Sequence, residues 1–294
     1  MSNKLRKMTL EKKHNLTGWA FLAPATFLIA VFSFWPMIKA LVLSFQTGKG
    51  RNMQMAGFTN YIRMFQDDVF IQSIKNTFFY FILQVPIMLV VALVLACILN
   101  KKDLRFKGFF RTMIFVPCTT SLVAYSIIFR SLFANNGLVN YVLVNIGILD
   151  KPYTQPFAAK MVILLGLLWR WTGYNMVFFL SGLQNIEYSV YEAAKIDGAS
   201  AIQTFFKITV PLLKPTILLT AIMSTNGTLQ LFDESINLTD GGPANASISM
   251  SHYIYNLCFK YVPNFGYAAA MSFFILLLVA VLAFIQMRVG DKRD

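Results

Sequence analysis

The stretch Glu187–Pro215, EYSVYEAAKIDGASAIQTFFKITVPLLKP, decides how the rest of the chain is read. Glu187 to Ile196 has good helix propensity and puts Val190, Ala193 and Ala194 on one side. Asp197-Gly198 then ends that helix, since glycine adopts the left-handed conformation that closes helices. Ser200 opens a second helix, and Gln203 three residues on completes a capping-box pattern. Ile202, Phe205, Phe206 and Ile208 recur at helical spacing, and Pro211 and Pro215 mark a bend. The stretch is a polar-capped helical hairpin lying between two long apolar runs.

Working outward, apolar runs dominate. Of 294 residues, 56% are hydrophobic and 13% charged, and the mean hydropathy is +0.57, outside the range of soluble domains. A helix crosses a hydrocarbon core of about 30 Å with about 20 residues. Six segments qualify, namely Trp19–Phe45, Ile74–Leu99, Phe109–Phe133, Phe157–Leu183, Leu212–Phe232 and Tyr267–Met287. The first follows a basic tail but is longer than a signal-peptide core, so it is read as a retained helix. The expectation is an all-α membrane protein with a tail over residues 1–18 and a single six-helix domain over 19–294 that contains the hairpin region 184–215.

Lysine and arginine orient these spans. Clusters lie in the N-terminal tail (Lys4, Arg6, Lys7, Lys12, Lys13) and after the second span (Lys101, Lys102, Arg105, Lys107, Arg111). Others lie in the hairpin (Lys195, Lys207, Lys214) and the C-terminal tail (Arg288, Lys292, Arg293). All fall on one side only with six spans and both termini cytoplasmic. The opposite side holds Lys49, Arg51, Arg63 and Lys151 against Asp67, Asp68, Asp150, Asp233, Glu234 and Asp240, a near-balanced set. There Tyr61–Phe65 reads as a short helix against the membrane face, and Asp240-Gly241-Gly242-Pro243 as a turn. Ile248 to Phe259 is a short amphipathic or re-entrant stretch.

Several chemistries are excluded. A net charge of +13 suggests nucleic acid, but the basic residues are dispersed between apolar runs rather than gathered into a patch. Cys97, Cys118 and Cys258 have no metal-ligand spacing and read as buried free thiols. His14 and His252, the only histidines, have no partner acids set out as a zinc site or a triad, and no Gly-rich phosphate loop occurs. No catalytic residue and no metal site are expected.

The spacing of Glu192-Ala193-Ala194, Gly198, Ile208 and Pro211 resembles the EAA loop of the membrane subunits of binding-protein-dependent ABC importers. Val210 stands where leucine is usual. Phe21-Leu22-Ala23-Pro24-Ala25, Asn60-Tyr61, Lys107-Gly108-Phe109-Phe110-Arg111 and Leu183-Gln184-Asn185-Ile186 extend the likeness to carbohydrate permeases of the maltose and raffinose type. So do Thr239-Asp240-Gly241-Gly242-Pro243 and Phe265-Gly266-Tyr267-Ala268. The resemblance implies a type I importer fold in a bacterial plasma (inner) membrane, with a second homologous permease subunit and an extracytoplasmic solute-binding protein. It also implies two ATPase subunits, which hold ATP and Mg and grip Glu192, Ala193, Ala194, Asp197, Gly198, Ile208 and Pro211; this chain itself needs no cofactor. From amphipathicity alone, the hairpin would instead lie on its own membrane.

Polar groups within a span face a cavity or a neighbouring helix. In the fourth span Trp171, Tyr174 and Asn175 share a face; in the fifth Ser224, Thr228 and Leu231 share another, with Gly227 beside them. Aromatic rings with amides and hydroxyls suit sugars. The resemblance implies that Ser224, Gly227, Thr228 and Leu231 hold the sugar-contacting positions, with serine kept, an aromatic replaced by Gly227, and amides replaced by Thr228 and Leu231. Trp169 and Trp171 also suit helix packing or interfacial anchoring. Arg170 is expected to be tied to a neighbouring carbonyl or acid, and Asp233 and Glu234 to be solvated. An importer of glycerol phosphate or another polar solute is the alternative, and a channel or secondary transporter leaves the hairpin unexplained.

Overall fold

The computed structural model describes residues 10–49, 52–101, 103–134, 136–147 and 156–290. Lys4, Arg6, Lys7, Arg51, Lys102, Asp150, Lys151, Lys292 and Arg293 lie outside the described residues. Helix α1 (Leu10–Ile29) runs through a π-turn at Ala30–Phe34 into α2 (Trp35–Ser44), so the first span begins well before Trp19. A hairpin of β1 (Gln46–Lys49) and β2 (Asn52–Met55) follows, a small departure from a purely helical chain. Then come α3 (Thr59–Met64), the short outer helix expected near Tyr61, and α4 (Asp68–Asn100). At 33 residues α4 is about 50 Å long, more than a bilayer core requires.

The third span departs most from expectation. Instead of one helix over Phe109–Phe133, α5 (Lys107–Thr119) and α6 (Leu122–Phe133) meet at a break, and the apolar run continues from Leu122 to Val142 through α7 (Leu138–Asn145). Pro117 brings no N–H to the last turn of α5, while Thr119 and Thr120 hydroxyls both donate to the Val116 carbonyl, at 2.9 and 3.1 Å. The backbone leaves the helix there without orphaning that oxygen. Next are α8 (Pro156–Gln184), α9 (Tyr188–Ile196), α10 (Ala201–Thr204), α11 (Val210–Leu212), α12 (Lys214–Leu229), α13 (Met250–Tyr255) and α14 (Phe265–Gly290). Among the described residues five helices are long and apolar enough to cross a membrane; Ala201–Leu212 with Lys214–Leu229, bent by 69°, makes a sixth.

Helix α4 is the hub, packed against α8, α12 and α13. Ala92, Leu93, Ala96 and Leu99 meet Met176, Phe179, Leu180 and Leu183 of α8 in one buried cluster. Helix α8 in turn lies close on α5, because Gly173 leaves room: a Cβ there would collide with the Ile114 carbonyl. Where α4 begins, Asp67 acts as a clasp. Its Oδ1 caps the helix by accepting from Val69 and Phe70 N–H groups at 3.0 and 3.2 Å. Its Oδ2 accepts from the Tyr253 and Tyr267 hydroxyls at 2.7 and 2.8 Å, tying α4 to α13 and α14.

Beside the clasp, His252 is fully buried, its Nδ1 3.0 Å from Ser235 Oγ and its Nε2 3.7 Å from Asp240, which also binds Lys260. The stretch Ile248 to Phe259 thus forms α13 and a π-turn, Asn256–Lys260, that cap the bundle with one side packed inward. Cys97, Cys118 and Cys258 are free but only half-buried, less enclosed than the sequence suggests.

Burial holds the His252 pKa below the ordinary range, Asp240 opposes this, and Lys260 adds to it. The unfolded chain therefore binds the extra proton first, and stability falls as pH drops through about 6.5. The melting midpoint of the purified protein is expected to fall between pH 7.5 and 5.5, and His252→Gln to flatten that slope; equal slopes would refute the assignment. Gly173→Ala should destabilise by about 1–3 kcal/mol through overpacking. Gly108→Ala, whose added methyl meets nothing within 4 Å, should not. Detergent melting curves compare the two.

Candidate functional site

Two features at different depths carry chemistry. The first is a cavity of about 420 Å³ between α4, α8, α12 and the segment that follows α12. Trp171, Tyr174, Asn175, Ser224, Gly227, Thr228 and Leu231 all line it, so the faces expected on the fourth and fifth spans do converge. Gly227 is open to the cavity, with nothing within 4 Å of an added Cβ. Leu231 lies just past the end of α12, and its side chain also packs with Tyr80 and Tyr125.

Most polar groups here are satisfied by one another. Ser224 Oγ donates to Asn175 Oδ1 at 3.3 Å, and Asn175 Nδ2 donates to the Trp171 carbonyl at 3.1 Å. Thr228 Oγ1 lies 2.6 Å from Gln84 Oε1 and 2.9 Å from the Ser224 carbonyl, with one proton to share. Gln84 Nε2 turns to the Met88 sulfur at 3.1 Å. Gln84 and Met88 on α4 are lining residues that sequence reasoning missed, although an amide inside an apolar run is itself a signal. Tyr174 is half-buried and packs edge-on against Trp171 and Phe178.

Trp169 follows the packing alternative, and two expectations change. Trp169 stacks on Tyr125 and leans on Phe129 at centroid distances of 5.7 and 5.4 Å, so it is a packing residue. Among the described residues no ion pair ties Arg170 to an acid. It is 9% exposed, its guanidinium lies 5.5 Å from the centroids of both Tyr125 and Trp171, and Nε and Nη1 have no hydrogen-bond partner. Glu234 is not solvated: it is 4% exposed, lines the cavity and accepts from Trp171 Nε1 at 3.4 Å. Asp233 beside it stays exposed. Burial pushes the Glu234 carboxyl up, its own backbone hydrogen bond, Trp171 and Arg170 draw it down, and Asp233 adds to the rise. Among the described residues no group of three or more His, Cys, Asp or Glu is arranged to hold a metal.

The second feature is the hairpin. Helix α9 closes with the Asp197 and Ala199 N–H groups donating to the Ala193 and Ala194 carbonyls at 2.9 Å, which requires the left-handed Gly198, φ +75°. The capping box of α10 forms as expected, Ser200 N–H to Gln203 Oε1 at 2.9 Å and Gln203 N–H to Ser200 Oγ at 3.3 Å. A π-turn at Phe205–Thr209 carries the second arm to α11, and Tyr191 Oη stands 3.3 Å from Thr209 Oγ1, joining the arms. Glu192, Ala193, Asp197, Gly198 and Pro211 are exposed, and Ile208 is half-buried. Ala194 is buried against the protein itself, so the two alanines do not act together outward. Ile196 is 85% exposed, Ile202 72% and Phe206 65%, an apolar surface that the bundle leaves uncovered.

Comparison with known proteins gives this geometry a family. Residues 68–293 match the family model described as binding-protein-dependent transport system inner membrane component. The chain is 50% identical over 292 residues to the lactose transport system permease protein LacF of Rhizobium radiobacter, covering 98% of each. It is 30% identical to the arabinooligosaccharides transport system permease protein AraP of Halalkalibacterium halodurans, over 96% of this chain and 90% of that one. It superposes with a TM-score of 0.83 and 25% identity on a chain from the crystal structure of a bacterial alginate ABC transporter in complex with alginate pentasaccharide-bound periplasmic protein, covering 96% of each. The chain therefore belongs to the family of binding-protein-dependent transport system inner membrane components.

Proposed function

We propose that the protein is the membrane-spanning permease subunit of an ATP-driven ABC importer that moves a sugar or oligosaccharide across the membrane by alternating access. The observation that carries this reading is the cavity, where aromatic rings, amides and hydroxyls from α4, α8 and α12 surround one space among membrane-spanning helices. Its volume, about 420 Å³, lies in the roughly 300–1,000 Å³ range of small-molecule sites. Relatives named for lactose and arabinooligosaccharides favour a saccharide cargo. A glycerol phosphate cargo is disfavoured, because Arg170 is accompanied in the cavity lining by both Asp233 and Glu234. The chain does no covalent chemistry; ATP and Mg belong to a partner.

The hairpin is the docking element for that partner. Glu192 offers a solvated carboxylate, and Ile196, Ile202 and Phe206 offer apolar surface beside it. Two ATPase subunits serve the complex, one gripping this hairpin and the other that of a second, homologous permease. A binding protein delivers sugar to the opposite face. Lys195, Lys207, Arg105, Lys107 and Arg288 support a cytoplasmic hairpin side and cytoplasmic termini by the positive-inside rule. Helix α1 and the π-turn after it, with Phe21, Phe27 and Phe32 exposed, meet lipid or the second permease.

Uptake of a panel of labelled saccharides in a strain lacking the protein tests the cargo; a panel without any substrate would refute it. Glu192→Lys should weaken ATPase binding about tenfold or more, the equivalent of about 1.5–3 kcal/mol for a charge-assisted contact, while the melting midpoint is retained. Unchanged co-purification would remove Glu192 from the interface. Tyr174→Ala should raise the KM for uptake several-fold and Ser224→Ala less, about 1 kcal/mol or under, since Ser224 already donates to Asn175. Wild-type kinetics in both variants would take these positions out of the sugar path.

A further inference from the structure

Arg170 poses an electrostatic problem that the fold does not solve. It stands half-way along α8, 9% exposed, with Nε and Nη1 buried and unbonded. A buried cation without partners is retained at a cost unless something completes it. Its two aromatic neighbours compensate through their ring faces but accept no hydrogen bond in the guanidinium plane. The nearby acid is Glu234, yet among the described residues no ion pair joins the two.

Trp171 contacts both groups. One side chain both lies against the Arg170 guanidinium and donates from Nε1 to Glu234 Oε1 at 3.4 Å. It thus touches both members of the pair and orients the acid. Both charged groups line the same cavity. Between the helices the buried polar side chains of that lining are paired: Ser224 with Asn175, Thr228 with Gln84, and Gln84 with Met88. Unused donors and acceptors remain on Arg170 and Glu234, alongside the Tyr174 hydroxyl and the more exposed Asp233 and Gln230; of these Arg170 and Glu234 are the buried charged groups.

We propose that Arg170 and Glu234 form a split clamp that selects neutral, polyhydroxylated substrates, Arg170 donating to a sugar oxygen while Glu234 accepts from a sugar hydroxyl. This rests on the sugar-import reading and adds the specificity-determining residues. A hydroxyl is both donor and acceptor, so adjacent hydroxyls of one ring match the opposite polarities of the clamp. A carboxylate or phosphate would satisfy Arg170 but face Glu234 and Asp233 with like charge. A purely apolar solute would leave both charged groups unpaired. The clamp thus discriminates in the way that polar sites do, by the penalty on a ligand that lacks the hydroxyl.

The test uses the complete importer, with its partner subunits and binding protein, in proteoliposomes, reading uptake of radiolabelled lactose with monodeoxy-lactose analogues and glycerol 3-phosphate as competitors. Arg170→Met and Glu234→Gln should each raise the KM for uptake about tenfold. At least one deoxy analogue should compete about tenfold worse than lactose against wild type but equally well against a variant, the signature of a shared interaction. Arg170→Lys keeps the charge and loses the fork, so it should fall between wild type and Arg170→Met. Co-purification with the partner subunits identifies any variant that fails to fold, and Glu234→Gln, being isosteric, keeps the test decisive. Deoxy analogues that discriminate alike against wild type and both variants overturn the clamp alone. Glycerol 3-phosphate outcompeting lactose overturns its neutral selectivity. Wild type without uptake of any saccharide overturns the sugar reading and the clamp together.

Discussion

The close approach of α4 to α8 is the contact on which the rest of the molecule depends. Ala92 and Ala96 keep the surface of α4 low, and Met176, Phe179, Leu180 and Leu183 of α8 fill against it. In hydrocarbon there is no water to expel between helices, so such packing and the satisfaction of polar groups carry the association. With this pair set, α12 crosses both, and Gln84, Asn175 and Thr228 come together from three helices. Without it there is no cavity and no surface on which the outer cap sits.

The same constraint explains why the polar groups are arranged in closed sets. Asp67 serves two peptide N–H groups and two tyrosine hydroxyls. Asn76 on α4 donates to the Ile248 carbonyl at 2.9 Å, and Tyr80 to that of Ser247 at 3.2 Å, so the outer loop is fastened to the hub by polar contacts. Other buried atoms also lack a partner, among them Tyr125 Oη, His252 Nε2 and Asn256 Oδ1, but each of those residues leaves one atom open, whereas Arg170 leaves two on a charged group. Where water is scarce an open set is expensive, and more so on a cation than on a neutral hydroxyl or amide.

Local signals make the hairpin legible in sequence. Ser200 and Gln203 are three residues apart, Gly198 supplies its own turn, and the Pro211 and Pro215 positions report the bend. Apolar length and lysine placement likewise identify the spans, because each span is stabilised by its own backbone. What escapes are the features made by distant pairs. Glu234 reads as an outer-rim acid until Trp171, 63 residues earlier, is seen to hold it. Gln84 meets Thr228 across 144 residues, and no periodicity in either helix announces it. The third span fails differently: hydropathy runs unbroken through Thr120, while the break comes from threonine hydroxyls bonding back to Val116.

The hairpin and the cavity are joined through the two helices that they share. Helix α8 ends where the hairpin begins, α12 starts where it ends, and both line the cavity. At the junction, Leu213 is buried, and the absent side chain at Gly182 lets α8 and α12 meet: a Cβ there would stand 2.8 Å from Leu213 and 2.9 Å from Thr216. A contact with so little free space does not deform gradually. In the importer reading proposed above, a displacement of α9 and α10 would be passed to α8 and α12 through this contact. Those helices carry Trp171 and Asn175 on one side and Ser224 and Thr228 on the other, and the segment after α12 carries Glu234. A shift of α12 against α8 would bear on the Ser224–Asn175 hydrogen bond, which spans the two helices, and on the gap between Arg170 and Glu234 alike.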